Sequence, residues 1–171
     1  MKTVKIVLGI LILLTVAFFC TGLVIKENTY KHEITINKPI SETFEIFSDQ
    51  SSVKEWIPEI TNIEEIDMKP EMVGSVYRVT MNNEGVVLSK KETILAYVKN
   101  QKVTYYHDAE GVLKTDDFSF SSDGANTKIS LESKYSGKSY LISCVFPYFK
   151  GTFKDVDVQN LERFKAYAEK R

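Results

Sequence analysis

Cysteine is scarce in this chain of 171 residues, and so is any excess of charge of one sign. The two cysteines, Cys20 within an apolar run and Cys144 far along the chain, cannot build the disulfide framework of a small secreted domain. Leu141, Ile142, Val145 and Phe146 surround Cys144 with apolar side chains, so it reads as an inert buried thiol rather than a nucleophile. Lys and Arg total 22 against 23 Asp and Glu, and no Lys/Arg run exceeds two residues. Without a basic field or patch, nucleic acid is not a partner this sequence is built for. The two histidines, His32 and His107, have no paired His, Cys or carboxylate at metal-ligand spacing, so no metal is expected. The glycines form no phosphate loop, nucleophile elbow or dinucleotide fingerprint, so no cofactor is expected either. What is abundant is apolar and aromatic side chain, 43% and 12% of residues, enough for one folded core.

Charge is also missing from Ile6 to Ile25, where fourteen residues are Leu, Ile, Val or Phe. At ~1.5 Å rise per residue such a run spans the ~30 Å hydrocarbon core once, and it has no polar face to lie flat on a membrane. It reads as an uncleaved anchor, with residues 1–25 forming the transmembrane segment. A cleaved signal peptide is the competing reading, since Lys2 and Lys5 precede the run and a cut after Gly22 has small flanks. Lipoprotein processing at Cys20 is disfavoured by the bulk of Phe19. Lys2 and Lys5 before the run, against Lys26 and Lys31 beside Glu27 and Glu33 after it, place the amino end inside. The protein is then a single-pass cell-membrane protein with its domain on the outer or periplasmic side.

Residues 26–171 are long enough for one core and too short for two. Tyr30, His32, Ile34 and Ile36 alternate with polar residues as a strand does. Pro39 then opens a helix carrying Ile40, Phe44 and Phe47 on one stripe. Ser51 or Ser52 is placed to cap a second short helix bearing Val53, Trp56 and Ile57, which Pro58 ends. Six strands follow, over 60–68, 73–81, 86–98, 102–107, 112–121 and 127–135, separated by short turns that predict an antiparallel meander. Ser139 to Lys170 is expected to form one long closing helix, kinked at Pro147. The fold class is therefore α+β: a seven-stranded antiparallel sheet curled around a long carboxy-terminal helix, plus one amino-terminal transmembrane helix.

This order of elements resembles the START-like, or SRPBCC, superfamily of helix-grip domains, which includes polyketide cyclase/dehydrase-like proteins. The resemblance runs from about Tyr30 to the end of the chain. It is carried by ITINKPISETFEIFSD, where a strand leads through Pro39 to a helix ending at Asp49, by Trp56-Ile57-Pro58, by Gly74-Ser75 before a strand, and by the Glu92-Thr93-Ile94 strand. It implies a cavity for an apolar small molecule between sheet and terminal helix.

Strand parity nominates the cavity's walls: Tyr77, Val79 and Met81 share a face, as do Val103, Tyr105 and His107. Phe118 and Phe120 share another, and so do Ile129, Leu131 and Tyr135. Trp56, Phe149 and Phe153 are placed to close the ends. The same residues would equally serve a solid core. His107, with Asp116 or Tyr105, is the candidate acid/base residue, although a strand histidine near a turn more often has a structural role. Asp116 and Asp117 point to opposite faces and form no shared-proton pair. Tyr140 to Phe149 is apolar on almost every side and flanked by Lys138, Lys150 and Lys154, either to pack under the mouth of the grip or to touch the bilayer. Three readings follow: an anchored domain that binds a lipid or other hydrophobic molecule, a cyclase/dehydrase-like enzyme, and a protein-interaction module with a solid core.

Overall fold

The computed structural model describes residues 2–171, so the first residue of the expected anchor lies outside the described part. A helix, α1 (Lys2–Val24), carries the charge-free run, and its apolar side chains are almost all exposed. It is long and apolar enough to cross a membrane, as an anchor or a signal sequence would be. Strand β1 (Asn28–Ile36) begins four residues later and ends at the turn before Pro39. Pro39 is the residue just outside α2 (Ile40–Ser48), where its missing N–H costs nothing, and its carbonyl accepts the Thr43 N–H at 3.0 Å. Ser52 precedes α3 (Val53–Trp56) but does not cap it with its side chain. Its buried hydroxyl instead donates to the carbonyls of Ile46 and Asp49, tying α3 to the end of α2.

The remaining strands are β2 (Ile60–Asp67), β3 (Val76–Asn83), β4 (Val86–Val98), β5 (Lys102–Ala109), β6 (Val112–Asp123) and β7 (Asn126–Gly137). The expected start of β3 at Val73 shifts to Val76 because Gly74 takes φ +86° in a turn that Ser75 closes, its Oγ accepting the Lys69 N–H at 2.9 Å. All pairings are antiparallel, in the order β1-β7-β6-β5-β4-β3-β2. The first strand thus pairs with the last, and the meander fills the rest of the sheet.

The closing segment is not one helix. It runs as α4 (Tyr140–Val145), a 3₁₀ turn (Phe146–Phe149) and α5 (Lys150–Ala168). Pro147 donates no backbone hydrogen bond and crowds the carbonyl four residues back, so the chain tightens and turns there instead of merely bending. Leu161, Phe164 and Ala168 are the buried stripe of α5. Phe164 meets the rings of Phe47 and Trp56 edge-on at 5.1 and 5.2 Å, which locks α2 and α3 onto α5.

α4 docks on the last turns of α1. Thr21 Oγ1 donates to the Cys144 carbonyl at 3.1 Å, the Tyr140 hydroxyl donates to the Phe19 carbonyl, and Phe18 stacks on Tyr148. Cys144 is fully buried there, and a Cβ added at Gly22 would overlap its Sγ. Gly22→Leu should therefore push the helices apart at an overpacking cost of about 1–3 kcal/mol. In a Cys20→Ser background it should make Cys144 several-fold faster to alkylate, an effect read by maleimide labelling.

Candidate functional site

Antiparallel register sorts the inward face of the sheet into rungs. One rung reads Glu92, His107, Lys114, Tyr135 and Asn28; the next reads Ile94, Tyr105, Asp116, Ser133 and Tyr30; a third reads Val103, Phe118, Leu131 and His32. The inward face is therefore polar toward one end of the strands and apolar toward the other. Between this face and α5 lies a cavity of about 600 Å³. Its apolar depth is formed by Phe118 and Leu131 of the sheet, Phe47 and Trp56 of the short helices, and Phe153 and Leu161 of α5.

The polar end is one connected network. Lys90 Nζ lies 2.9 Å from His107 Nδ1 and 3.3 Å from Glu92 Oε2, and His107 Nδ1 is itself 3.2 Å from the same Glu92 oxygen. His107 Nε2 is 3.0 Å from Asp116 Oδ2, so both ring nitrogens have partners inside the protein. Lys114 Nζ lies 2.9 Å from Asp116 Oδ2 and within 2.8 Å of both carboxylate oxygens of Asp157, which α5 contributes. The Tyr30 hydroxyl donates to Asp157. Burial by itself would raise the Glu92 carboxyl, but Lys90 and His107 outweigh it and hold the group down to about 2. Burial acts the same way on Asp116, where Lys114 and His107 win and the group stays well below the usual carboxylate range. Burial would lower the Lys114 ammonium, and the Asp116 and Asp157 charges reverse that and raise it. The Tyr105 hydroxyl is pushed far up, first by burial and then by the Glu92 charge.

Of the residues nominated from sequence, Trp56, Val79, Met81, Tyr105 and His107 line this cavity, as do Phe118, Leu131 and Phe153. Six others stand apart from it, Val103 and Ile129 fully buried in the core among them. Phe120 packs edge-on against Phe44 and Phe47 at 5.0 and 5.2 Å, in the solid core under α2. Tyr135 is enclosed by Tyr30, Phe146 and Phe153. Tyr77 is 1% exposed in the core beside Glu92, and Phe149 lies in the 3₁₀ turn, half exposed and away from the cavity lining. His107 and Asp116 do come together. Lys90, Glu92, Lys114 and Asp157 were not nominated from sequence. Their signal was nevertheless present in two strands: Lys90-x-Glu92-x-Ile94 and Lys114-x-Asp116-x-Phe118 put charges on the same face as core residues. Asp157 falls between Phe153 and Leu161 at helical spacing of four.

A sheet gripping a carboxy-terminal helix, with a chamber of this kind between them, defines the START-like, or SRPBCC, helix-grip class. Within it the chain belongs to the family of Activator of Hsp90 ATPase homolog 1-like proteins, whose family model matches residues 37–141. No curated protein sequence matches the chain. Among solved structures it is similar to Ara h 8.0201, with TM-score 0.69 and 15% identity over 85% of this chain and 99% of that one. It is likewise similar to the Zhui aromatase/cyclase from Streptomyces sp. R1128, with TM-score 0.69 and 13% identity over 85% and 95% of the two chains. A START superfamily protein from Mycobacterium smegmatis matches with TM-score 0.70 and 13% identity over 83% and 97%. At such identities the shared property is the fold.

Proposed function

We propose that the chain is a membrane-anchored helix-grip domain that takes up an uncharged apolar small molecule, a lipid or similar compound, between the sheet and α5. The observation that carries this reading is the cavity: about 600 Å³, apolar in its depth, with a polar wall whose charges are already paired. That volume lies within the ~300–1,000 Å³ of ordinary small-molecule sites. Lys90 and Lys114 face Glu92, Asp116 and Asp157, so an anionic head group would meet an excess of negative charge and no spare ammonium among the described lining residues. A hydrogen-bond donor suits the wall better, because Asp116 Oδ1 is buried without a partner. Binding is favoured over a cyclase-type reaction by His107, whose two nitrogens are both spent on protein groups and leave none for a substrate proton.

Anchoring is supported by the docking of Phe18 to Gly22 on α4, since a cut after Gly22 would strip the cover from Cys144 and Tyr140. In this reading Ile6–Ile25 spans the membrane with the amino end inside and the domain on the outer or periplasmic side. The binding test is native mass spectrometry of the full chain released from detergent micelles, beside a Leu131→Trp variant that fills the cavity's depth. The parent should carry an apolar adduct that the variant loses while keeping the parent's unfolding midpoint. Equal occupancy in a folded variant, or a parent free of any adduct, would overturn the reading in favour of a protein-interaction module.

A further inference from the structure

The sheet has one end at which several apolar features meet. β1 begins there, with Asn28 opposite Tyr135, just after α1. The β5–β6 turn is at the same end: Ala109 faces Val112, which faces Gly137 at the close of β7. Ile142 of α4 packs against that turn, with its Cδ1 2.8 Å from where a Gly111 Cβ would stand. Lys90 is the first β4 residue paired with β5, opposite Ala109, so Val86 to Ser89 pair only with β3 and continue beyond the sheet. At ~3.3 Å per residue that projection is about 13 Å, on the side of the domain where α1 enters.

The β4 arm of the projecting hairpin is apolar where an isolated ribbon should be polar, while Asn82, Asn83 and Glu84 make the β3 arm and the tip polar. Val86, Val87 and Leu88 are 58%, 66% and 50% exposed, although consecutive residues point to opposite faces, so neither face of the ribbon is covered. Val87 and Leu88 are also cavity-lining residues, which puts the ribbon at the mouth. Across the same end, Leu141, Tyr148 and Phe149 are exposed on α4 and the 3₁₀ turn, the segment that meets α1 through Tyr140 and Tyr148.

We propose that this end of the domain is a lipid-facing mouth. The β3–β4 hairpin and the α4 segment rest in the interface of the bilayer that holds α1, and apolar molecules pass between lipid and cavity beside Val87 and Leu88 without crossing water. The inference rests on the anchored-binding reading above. The bilayer is the occupant the geometry favours because α1 is continuous with the patch: a membrane crossed by α1 lies alongside that end of the sheet. Lys150 and Lys154, exposed one turn apart at the start of α5, stand beside the apolar segment where anionic headgroups would meet them.

The test uses the full chain in vesicles of phosphatidylcholine and phosphatidylglycerol, with brominated phosphatidylcholine as the quencher of tryptophan fluorescence. Trp56 is kept, its signal being subtracted through the parent, so the core is untouched. Added singly are Val87→Trp and Val86→Trp at the hairpin, Gln101→Trp in the β4–β5 turn at the far end, and Leu13→Trp within α1. An apolar side chain in the interface sits ~5–10 Å into the headgroup and acyl boundary, so both hairpin tryptophans should be quenched about twofold or more beyond Gln101→Trp. If Leu13→Trp is quenched and neither hairpin variant exceeds Gln101→Trp, the anchor stands and the lipid-facing mouth falls, leaving the hairpin as a surface for a protein. If Leu13→Trp is itself unquenched, the anchored reading fails and the inference fails with it.

Discussion

Lys114→Met should lower the unfolding midpoint by roughly 6–20 °C, because removing one partner of a buried ionic network costs about 3–5 kcal/mol and each kcal/mol is worth ~2–4 °C at this chain length. Lys114 is the ammonium that joins two elements: it bonds Asp116 on its own strand and both oxygens of Asp157 on α5. Its side chain and those of Asp116 and Asp157 are all largely shielded from water. Methionine matches the length but leaves two carboxylates facing each other in a poorly solvated wall. Adding Asp157→Asn to Lys114→Met should recover part of the loss, since it removes one of the stranded anions. Calorimetry of the single and double variants checks both expectations. An unchanged midpoint in Lys114→Met would show that the carboxylates reach water or a proton on their own, and the wall would then be far wetter than its burial implies.

Acid should dismantle the same wall. Glu92 has an ordinary value of 4.5 and is held at about 2 in the fold, and Asp116 is also held below its usual range. A carboxylate depressed in the folded state binds protons more readily when unfolded, so it stabilises the fold above its unfolded value. That contribution is lost as pH falls toward the folded one. Stability should therefore be level from neutrality down to about pH 5 and should decline from there toward pH 2, with Glu92 alone accounting for roughly 3 kcal/mol at the top of the curve. Glu92→Gln places a neutral group where the protonated acid would be. It should unfold more easily than the parent at pH 7, show a shallower acid limb, and converge with the parent near pH 2. Urea titrations across this range read the two curves directly. Parallel curves with a constant gap would mean that Glu92 contributes by shape and hydrogen bonding rather than by charge.

The strands were legible because period-two alternation survives wherever one face of a sheet is buried. Tyr30 to Ile36 and Thr127 to Tyr135 read inward and outward as the structure has them. The network was only half legible. His107 stands out in the sequence as the one histidine on the later strands with inward parity, whereas nothing marks Lys90, Glu92 and Lys114, since such residues on strands are mostly exposed. Parity placed them inward, but only the register of β4, β5 and β6 sets them on neighbouring rungs, and only the docking of α5 brings Asp157 to them. Phe120 and Tyr135 illustrate the converse: each lies on the inward face, yet α2 covers one and the segment around Phe146 and Phe153 covers the other. Parity tells which face a side chain takes and nothing about what stands opposite.

Local order therefore determined a great deal here. The charge-free run at the amino end, the alternation of seven strands, the stop at Pro58 and the break at Pro147 all follow from interactions within a few residues of chain. The helix-grip class follows from their order. Tertiary structure decided the rest: which inward residues surround empty space and which are packed solid, which charges neutralise one another, and that α1, α4 and the β3–β4 hairpin share one end of the sheet. Those outcomes depend on contacts between residues as distant as Lys114 and Asp157 or Phe18 and Tyr148, where burial and Coulomb energy act on positions the chain alone does not bring together.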